Sequence, residues 1–182
     1  MNNRMIGNKV TGMVKSFLLF YLLTFLPLST SAQTVTKTRH TKALATDVVT
    51  TGTMTVRKPD YICISTDDDR DQLIMDGTQF TMTMGGRKHV TDSRTNAQFA
   101  TFQMVLHAVI NGQPIPQTDD VNVSTKGGVK TITITPVAKK KRQMFTSFVL
   151  TVDARTSAFS TLRMNDGKGG YTKYEFTYHQ QK

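Results

Sequence analysis

The sequence predicts a mainly β protein in which one helix packs against a curved antiparallel sheet of roughly eleven strands. Polar and apolar residues alternate along most of the chain, as they do in strands that bury one face. Glycine-containing turns separate these segments at short intervals, and short turns join antiparallel neighbours because parallel strands need long crossovers. A single stretch departs from the alternation and carries apolar residues at helical spacing.

Eleven segments have the strand pattern, and each is bounded by turn residues. Their predicted ranges are 34–41, 48–57, 61–66, 72–76, 79–84, 87–91, 121–125, 129–136, 145–153, 158–165 and 171–179. The clearest turn signals between them are Asp76-Gly77, Gly85-Gly86, Gly127-Gly128 and Asp166-Gly167. Consecutive pairing through such turns predicts an antiparallel meander.

The exception covers residues 95–110, where apolar side chains recur at steps of three and four residues. This spacing gives a helix one apolar stripe. Asp92 or Ser93 is expected to cap its start, because short polar side chains accept hydrogen bonds from the unpaired amides there. Asn111-Gly112 is expected to end the helix, and Pro114 prevents its continuation.

The N-terminal 32 residues are typical of a secretory signal peptide. Three cations and no acidic residue precede or adjoin an apolar run over residues 17–28, and small residues follow, with cleavage expected after Ala32. A membrane anchor is the alternative, but the run is too short for a spanning helix. We therefore expect a signal peptide at residues 1–32 and one exported domain at residues 33–182.

The composition of residues 33–182 suits a single soluble sheet domain. Removing three cations from the formal charge of +10 leaves +7. Threonine accounts for 27 of these 150 residues, and this β-branched residue favours half-exposed strand positions. Cys63 is the only cysteine, so it forms no internal disulfide, and its position within a strand excludes it as a lipid anchor.

Each predicted strand carries its apolar residues on one face. A curved sheet with such a face must close as a barrel, pack on a second sheet or be covered by the helix. The apolar face is rich in methionine, whose flexible thioether is common at accommodating surfaces. This composition favours a pliable, partly empty interior. The alternative is a filled core in which methionine packs the gaps.

Residues suited to catalysis or metal binding are few. The four histidines lack metal-ligand spacing, no cysteine pair exists, and Glu175 is the only glutamate. The acidic run from Asp67 to Asp71 lacks the alternation and distal glutamate of a calcium loop, so a solvated hairpin turn is expected. The sequence therefore predicts no catalytic residue, no metal site, no cofactor and no enzymatic activity.

The densest charge is the basic run Lys139-Lys140-Lys141-Arg142. A solvated turn that also protects a sheet edge is the favoured interpretation. The alternative is a docking site for an acidic partner or an anionic membrane surface. Nucleic acid is not an expected partner, because the protein is predicted to be exported and no aromatic residue interrupts the run.

Several segments occur in an order that resembles a known family. They are GTMTVRKPD (52–60), IMDGTQF (74–80), ITP (134–136) with FVLTVD (148–153), and YTKYEF (171–176) behind an Asp-Gly turn. Together they resemble the LolA-like periplasmic outer-membrane lipoprotein carriers of the LolA/LolB superfamily. The resemblance extends over nearly all of residues 33–182.

The resemblance implies an incomplete, half-open antiparallel β-barrel whose apolar face forms a hydrophobic cavity under a helical lid. Family members carry acylated lipoproteins across the periplasm, from an inner-membrane lipoprotein-releasing transporter complex to the outer membrane. For this chain it implies a monomeric periplasmic carrier that binds acyl chains and contacts membrane surfaces transiently. An outer-membrane receptor is a further candidate partner.

The residues expected to line the cavity are apolar-face residues of the strands and the helix. They are Met54, Val56, Ile62, Ile64, Phe80, Met82, Met84, Phe99, Phe102, Leu106, Phe148, Leu150 and Phe176. Arg57 and Lys58 match the basic pair of the first motif and are the expected lid latch. The better-known carriers have arginine directly before the proline, so Lys58, with its single compact charge, is expected to make a weaker latch.

Other expectations stay open. LolA carriers begin with an amphipathic helix, whereas this chain enters a strand almost at once, so part of the lid is expected to be missing. One rival function is a sensor or assembly subunit that binds an envelope protein or lipid without transporting it. The second is a hydrolase, which turnover dependent on one serine or histidine would support.

Overall fold

The computed structural model describes residues 31–43, 46–136 and 144–178. The basic run at 139–142 and residues 1–30 of the predicted signal peptide lie outside these ranges. The strands are β1 (Ser31–His40), β2 (Val48–Arg57), β3 (Tyr61–Thr66), β4 (Asp71–Asp76), β5 (Gln79–Met84), β6 (Arg87–Asp92), β7 (Val121–Lys126), β8 (Val129–Ile134), β9 (Phe145–Asp153), β10 (Phe159–Asp166) and β11 (Tyr171–Thr177). The helix α1 (Ala97–Ile110) follows β6.

All eleven strands belong to one antiparallel sheet with the order β6-β5-β4-β3-β2-β1-β11-β10-β9-β8-β7. Strands that are neighbours in the chain pair with one another, except β6 and β7, which α1 separates. Strand β1 also pairs with β11, so the first and last strands join two meanders in the middle of the sheet. The edges are β6 and β7, and the sheet is not closed into a barrel. The predicted fold class, a mainly β half-open barrel with one helix, is confirmed.

The strand register brings apolar residues together on the face of the sheet that packs against α1, which we call the inner face. In the β2–β3 pair Met54 lies opposite Ile64. In β9, Leu150 lies opposite Ile132 on one side and Leu162 on the other. Because side chains alternate along a strand, threonine and charged residues then fall mainly on the outer face.

The helix covers the inner face with an aromatic cluster. Phe102 stacks on Phe148 of β9 with ring centroids 4.3 Å apart, and Phe99 stacks on Phe80 of β5 at 4.5 Å. Phe102 and Phe148 are completely buried. These contacts join α1 to both halves of the sheet, so burial of apolar surface holds the helix in place.

The start of the helix differs from the sequence expectation. Asn96 is the N-cap, and its side chain accepts a hydrogen bond from the Gln98 amide at 3.2 Å. Asp92 instead ends β6, where hydrogen bonds from the side chain and amide of Arg94 lower its pKa to about 2. The carboxylate is therefore engaged by the turn before the helix. Asn111 forms the C-cap, as predicted.

The glycine that opens the first family motif is required by a close approach between strands. A Cβ atom at Gly52 would lie 1.9 Å from the carbonyl oxygen of Ser65 in β3. Gly52→Ala is therefore expected to lower the free energy of unfolding by about 1 to 3 kcal/mol through overpacking. Urea denaturation followed by circular dichroism measures this, with the exposed neighbour Thr53→Ala as the control. An unchanged midpoint for Gly52→Ala would contradict the steric argument.

Candidate functional site

The residues predicted to line a cavity lie between α1 and the sheet. Eleven of the thirteen are buried, and Val56 and Met84 are partly buried. Six of them surround a gap of about 10 Å³, which is room for at most one water molecule. Met54, Ile62, Ile64, Leu106, Leu150 and Phe176 border this gap. Beneath α1, the described side chains of the helix and the sheet pack closely around this gap. Acyl binding there stays a prediction.

Polar side chains of α1 and of its C-cap residue attach the helix to the sheet and to its loops. These hydrogen bonds run from Gln98 to the carbonyl oxygen of Phe145 (2.6 Å), from Thr101 to Asp120 (2.6 Å), from Gln103 to the carbonyl oxygen of Gly77 (2.5 Å) and from Asn111 to the carbonyl oxygen of Pro59 (2.7 Å). Burial works to raise the pKa of Asp120, but hydrogen bonds from Thr101 and Thr118 outweigh it and lower the pKa. These hydrogen bonds therefore hold the helix in place together with apolar packing, and each can be removed by one substitution.

The predicted latch residues are exposed and lie beside one of these attachments. Arg57 places its guanidinium over the ring of Tyr61, 3.8 Å from the centroid. Lys58 immediately precedes Pro59, whose carbonyl oxygen accepts the bond from Asn111 at the helix end. The motif thus meets the helix through its backbone, and a latch role for Arg57 and Lys58 stays a prediction.

An open cleft of about 950 Å³ lies at the part of the inner face beside the β5–β6 hairpin and the β10–β11 turn. Its floor contains Met82, Met84, Met144, Phe145 and Met164. Met82, Phe145 and Met164 also belong to the hydrophobic core, so the cleft floor continues the apolar surface that α1 covers elsewhere. Methionine adapts its shape to what it contacts, and the cleft volume falls in the range of small-molecule sites.

Two of the thirteen predicted lining residues, Met82 and Met84, lie in this cleft. Met164 and Phe145 were not among the predicted lining residues. A register shift in the β9–β10 pair puts Asp166 opposite Phe145, whereas Asn165 lies opposite Ser147. This bulge changes the alternation between Phe145 and the rest of β9, so parity alone gave no signal there.

The cleft rim is mainly basic. Arg39, Arg87 and Lys168 line it together with two histidines and one carboxylate, Asp166. Asp166 accepts hydrogen bonds from the amides of Lys168 (2.7 Å) and Gly170 (2.8 Å). Three permanent positive charges against one negative charge give the rim a net charge of +2. None of the three cations forms an ion pair with any residue in the described ranges.

A buried ion pair is linked to the cleft lining by a hydrogen bond. Lys37 of β1, which is 3% exposed, pairs with Asp71 of β4. Asp71 also accepts a hydrogen bond from the amide of the cleft residue Gly85 at 2.6 Å. Burial works to raise the pKa of Asp71, but hydrogen bonds from Lys37 and Gly85 and the charges of Lys37 and Arg39 lower it overall. Burial and the nearby Asp71 raise the pKa of Tyr174 well above its usual range, so its phenol is neutral.

A match to a protein-family model shows which family the chain belongs to. The family model described as "Outer membrane lipoprotein carrier protein LolA" matches residues 30–182. The chain belongs to the LolA family. LolA-family proteins have a binding and carrier fold and are not a family of enzymes. No curated protein sequence matches this chain at a significant level.

Solved structures with a similar chain path share little sequence with this LolA-family protein. A LolA superfamily protein from Nitrosomonas europaea is 8% identical, with a TM-score of 0.33 and coverage of 86% of this chain and 89% of that chain. A DUF1329 family protein from Desulfovibrio piger is 10% identical, with a TM-score of 0.39 and coverage of 89% and 88%. A chain from the structure of the Clostridioides difficile CwlD amidase with the GerS lipoprotein is 12% identical, with a TM-score of 0.31 and coverage of 93% and 92%. No residue role is carried over from them.

Two further observations concern residues 31–43, 46–136 and 144–178. No helix within these ranges is long and apolar enough to cross a membrane. Nor do any three histidine, cysteine, aspartate or glutamate side chains of the described residues come together in a way that could hold a metal ion.

Proposed function

We propose that this protein is a periplasmic carrier that binds the acyl chains of lipoproteins and moves them from the inner to the outer membrane. The observation that carries the proposal is the open, methionine-floored cleft on the inner face of a LolA-family sheet. The predicted signal peptide implies export, and this is the reason for proposing the periplasm as the compartment. An inner-membrane lipoprotein-releasing complex is the proposed donor, and an outer-membrane receptor is the proposed acceptor.

The need for such a carrier follows from the energetics of acyl chains. At about 0.8 kcal/mol per buried CH₂ group, a chain of about twelve carbons exposed to water costs on the order of 10 kcal/mol. The cleft floor offers apolar contact without a change in the fold. Deeper insertion beneath α1 requires the helix to move, because the gap there holds about 10 Å³. Acyl chains therefore enter at the cleft first and reach the interior only when α1 is displaced.

One exposed methionine of the cleft floor allows acyl binding there to be tested. Met144 lines the cleft and is 41% exposed, whereas Met104 lies on α1 outside the cleft and is 44% exposed. Met144→Asp is expected to weaken binding of a diacylated lipopeptide about tenfold or more, since one methionine side chain contributes about 1.5 to 3 kcal/mol when fully buried. Met104→Asp is the matched control and should bind as the unaltered protein does. Titration calorimetry measures both.

Native mass spectrometry of the protein purified from its own envelope, with lipid extraction, complements this titration. A bound diacylated or triacylated species supports the carrier. A protein that is recovered empty and also fails to take up the added lipopeptide contradicts it.

The second candidate function is a sensor or assembly subunit that recognises an envelope protein. The packed interior beneath α1 favours it, because an acyl carrier needs space that this conformation does not offer there. A stable complex with one envelope protein, isolated without bound lipid, would support this function over transport.

A further inference from the structure

The charge of the cleft rim goes beyond what acyl binding requires. A purely apolar ligand gains nothing from cations, and unpaired arginine and lysine beside an apolar floor instead complement a ligand with an anionic end. Arg39 projects from the end of β1, Arg87 from the start of β6 and Lys168 from the β10–β11 turn. Three separate elements thus bring positive charge to one opening.

The other polar groups of the rim cancel only part of this charge. His40 is engaged by Asp47, with 2.7 Å between its Nδ1 and the carboxylate, and its ring stacks on Tyr171 at 5.1 Å. Asp166 already accepts two backbone amides of its own turn. Within the part of the chain that the structure describes, the arginine and lysine heads form no ion pair. They can therefore bind phosphate or carboxylate oxygens through charge-assisted hydrogen bonds.

The alternation of side chains along β6 determines which of its basic residues face the cleft. Arg87 and His89 line the cleft, but the intervening Lys88 does not. Successive side chains of a strand point to opposite faces. Lys88 therefore has the same charge and is exposed on the same strand, but it faces away from the site.

We propose that the cleft binds an anionic lipid, with its acyl chains on the methionine floor and its phosphate or carboxylate headgroup between Arg39, Arg87 and Lys168. This inference rests on the proposed function only in that the floor receives acyl chains. It adds a cargo class, because the selected headgroup is negatively charged. Lipids with the same chains and a zwitterionic headgroup bind more weakly.

The test compares two short-chain lipids that differ only in the headgroup, below their micelle concentrations. Dihexanoyl phosphatidylglycerol is expected to bind about tenfold more tightly than dihexanoyl phosphatidylcholine in titration calorimetry, and the difference should shrink as salt rises because exposed charges are screened. Glycerol 3-phosphate, which has the phosphate without chains, should show no binding. Its binding as strongly as the anionic lipid would overturn the lipid assignment.

Two variants and one control locate the headgroup. Arg87→Gln and Lys168→Gln should each reduce the preference for the anionic lipid about threefold, because affinity for the anionic lipid falls more than affinity for the zwitterionic lipid. Lys88→Gln removes the same charge from the opposite face and should keep the full preference. Equal binding of both lipids overturns the headgroup inference but leaves acyl binding intact. Binding of neither lipid overturns the proposed function as well.

Discussion

Replacing Asp71 by asparagine is expected to lower the free energy of unfolding by about 3 to 5 kcal/mol, because it leaves the buried Lys37 ammonium without its counter-charge. Lys37 and Asp71 have side chains that are 4% and 13% exposed, so water cannot replace the lost partner. Asparagine keeps the shape of the side chain and a carbonyl for the Gly85 amide. The substitution therefore removes the negative charge with little change in packing, so the loss of stability reports the effect of the charge.

Urea denaturation followed by circular dichroism measures this loss, and Asp119→Asn, at an exposed aspartate, is the control. The double variant Lys37→Met with Asp71→Leu should recover most of the stability, because apolar residues of similar volume often replace a buried pair without loss. Asp71→Asn with the stability of Asp119→Asn would contradict the assignment of a buried pair.

The same pair gives a pH dependence of known sign. The pKa of Asp71 is lowered from its ordinary value of 3.8 in the folded protein. The unfolded state therefore binds more protons between the two values, and stability rises with pH across that interval. The contribution is complete above about pH 4 and is lost as the pH falls through the folded pKa. Asp71→Asn should flatten the acid limb of the stability curve below pH 4.

The fold could be predicted from sequence because one face of nearly every strand is buried. A shift by one residue would turn the apolar side chains of β2 or β3 to water, so the pattern determines both the strand and its register. The predicted ranges of these two strands match the structure. The helix start was missed by two residues, since several polar residues compete there and Asp92 is bound by Arg94.

The cleft could not be predicted because separate parts of the chain assemble it. Its floor and rim combine the end of β1, the β5–β6 hairpin, the start of β9 and the β10–β11 turn, and no local pattern reports that meeting. Lys37 did offer a signal. It shares strand parity with the buried Val35, and a lysine on the apolar face of a strand indicates a buried partner.

Phe102→Ala is expected to lower the free energy of unfolding by about 3 to 5 kcal/mol, because it removes a fully buried ring and leaves a void. Phe102 stacks on Phe148 at 4.3 Å and meets Phe80 edge-on at 5.9 Å, so each half of the sheet loses one of its contacts with α1. Met104→Ala, on the exposed side of the same helix, should change stability by less than about 0.5 kcal/mol. Thermal and urea unfolding measure both variants.

This variant also distinguishes the two places where an acyl chain could bind. If chains enter beneath α1, the void supplies space and weaker packing makes the helix easier to displace, so affinity for a diacylated lipopeptide rises although stability falls. If chains use only the open cleft, affinity is unchanged. Asn111→Ala provides a milder version, because it removes the bond to the Pro59 carbonyl and leaves the core intact. A rise in affinity in both variants would show that α1 acts as a lid and that acyl chains bind beneath it. No change in either variant would restrict acyl binding to the open cleft.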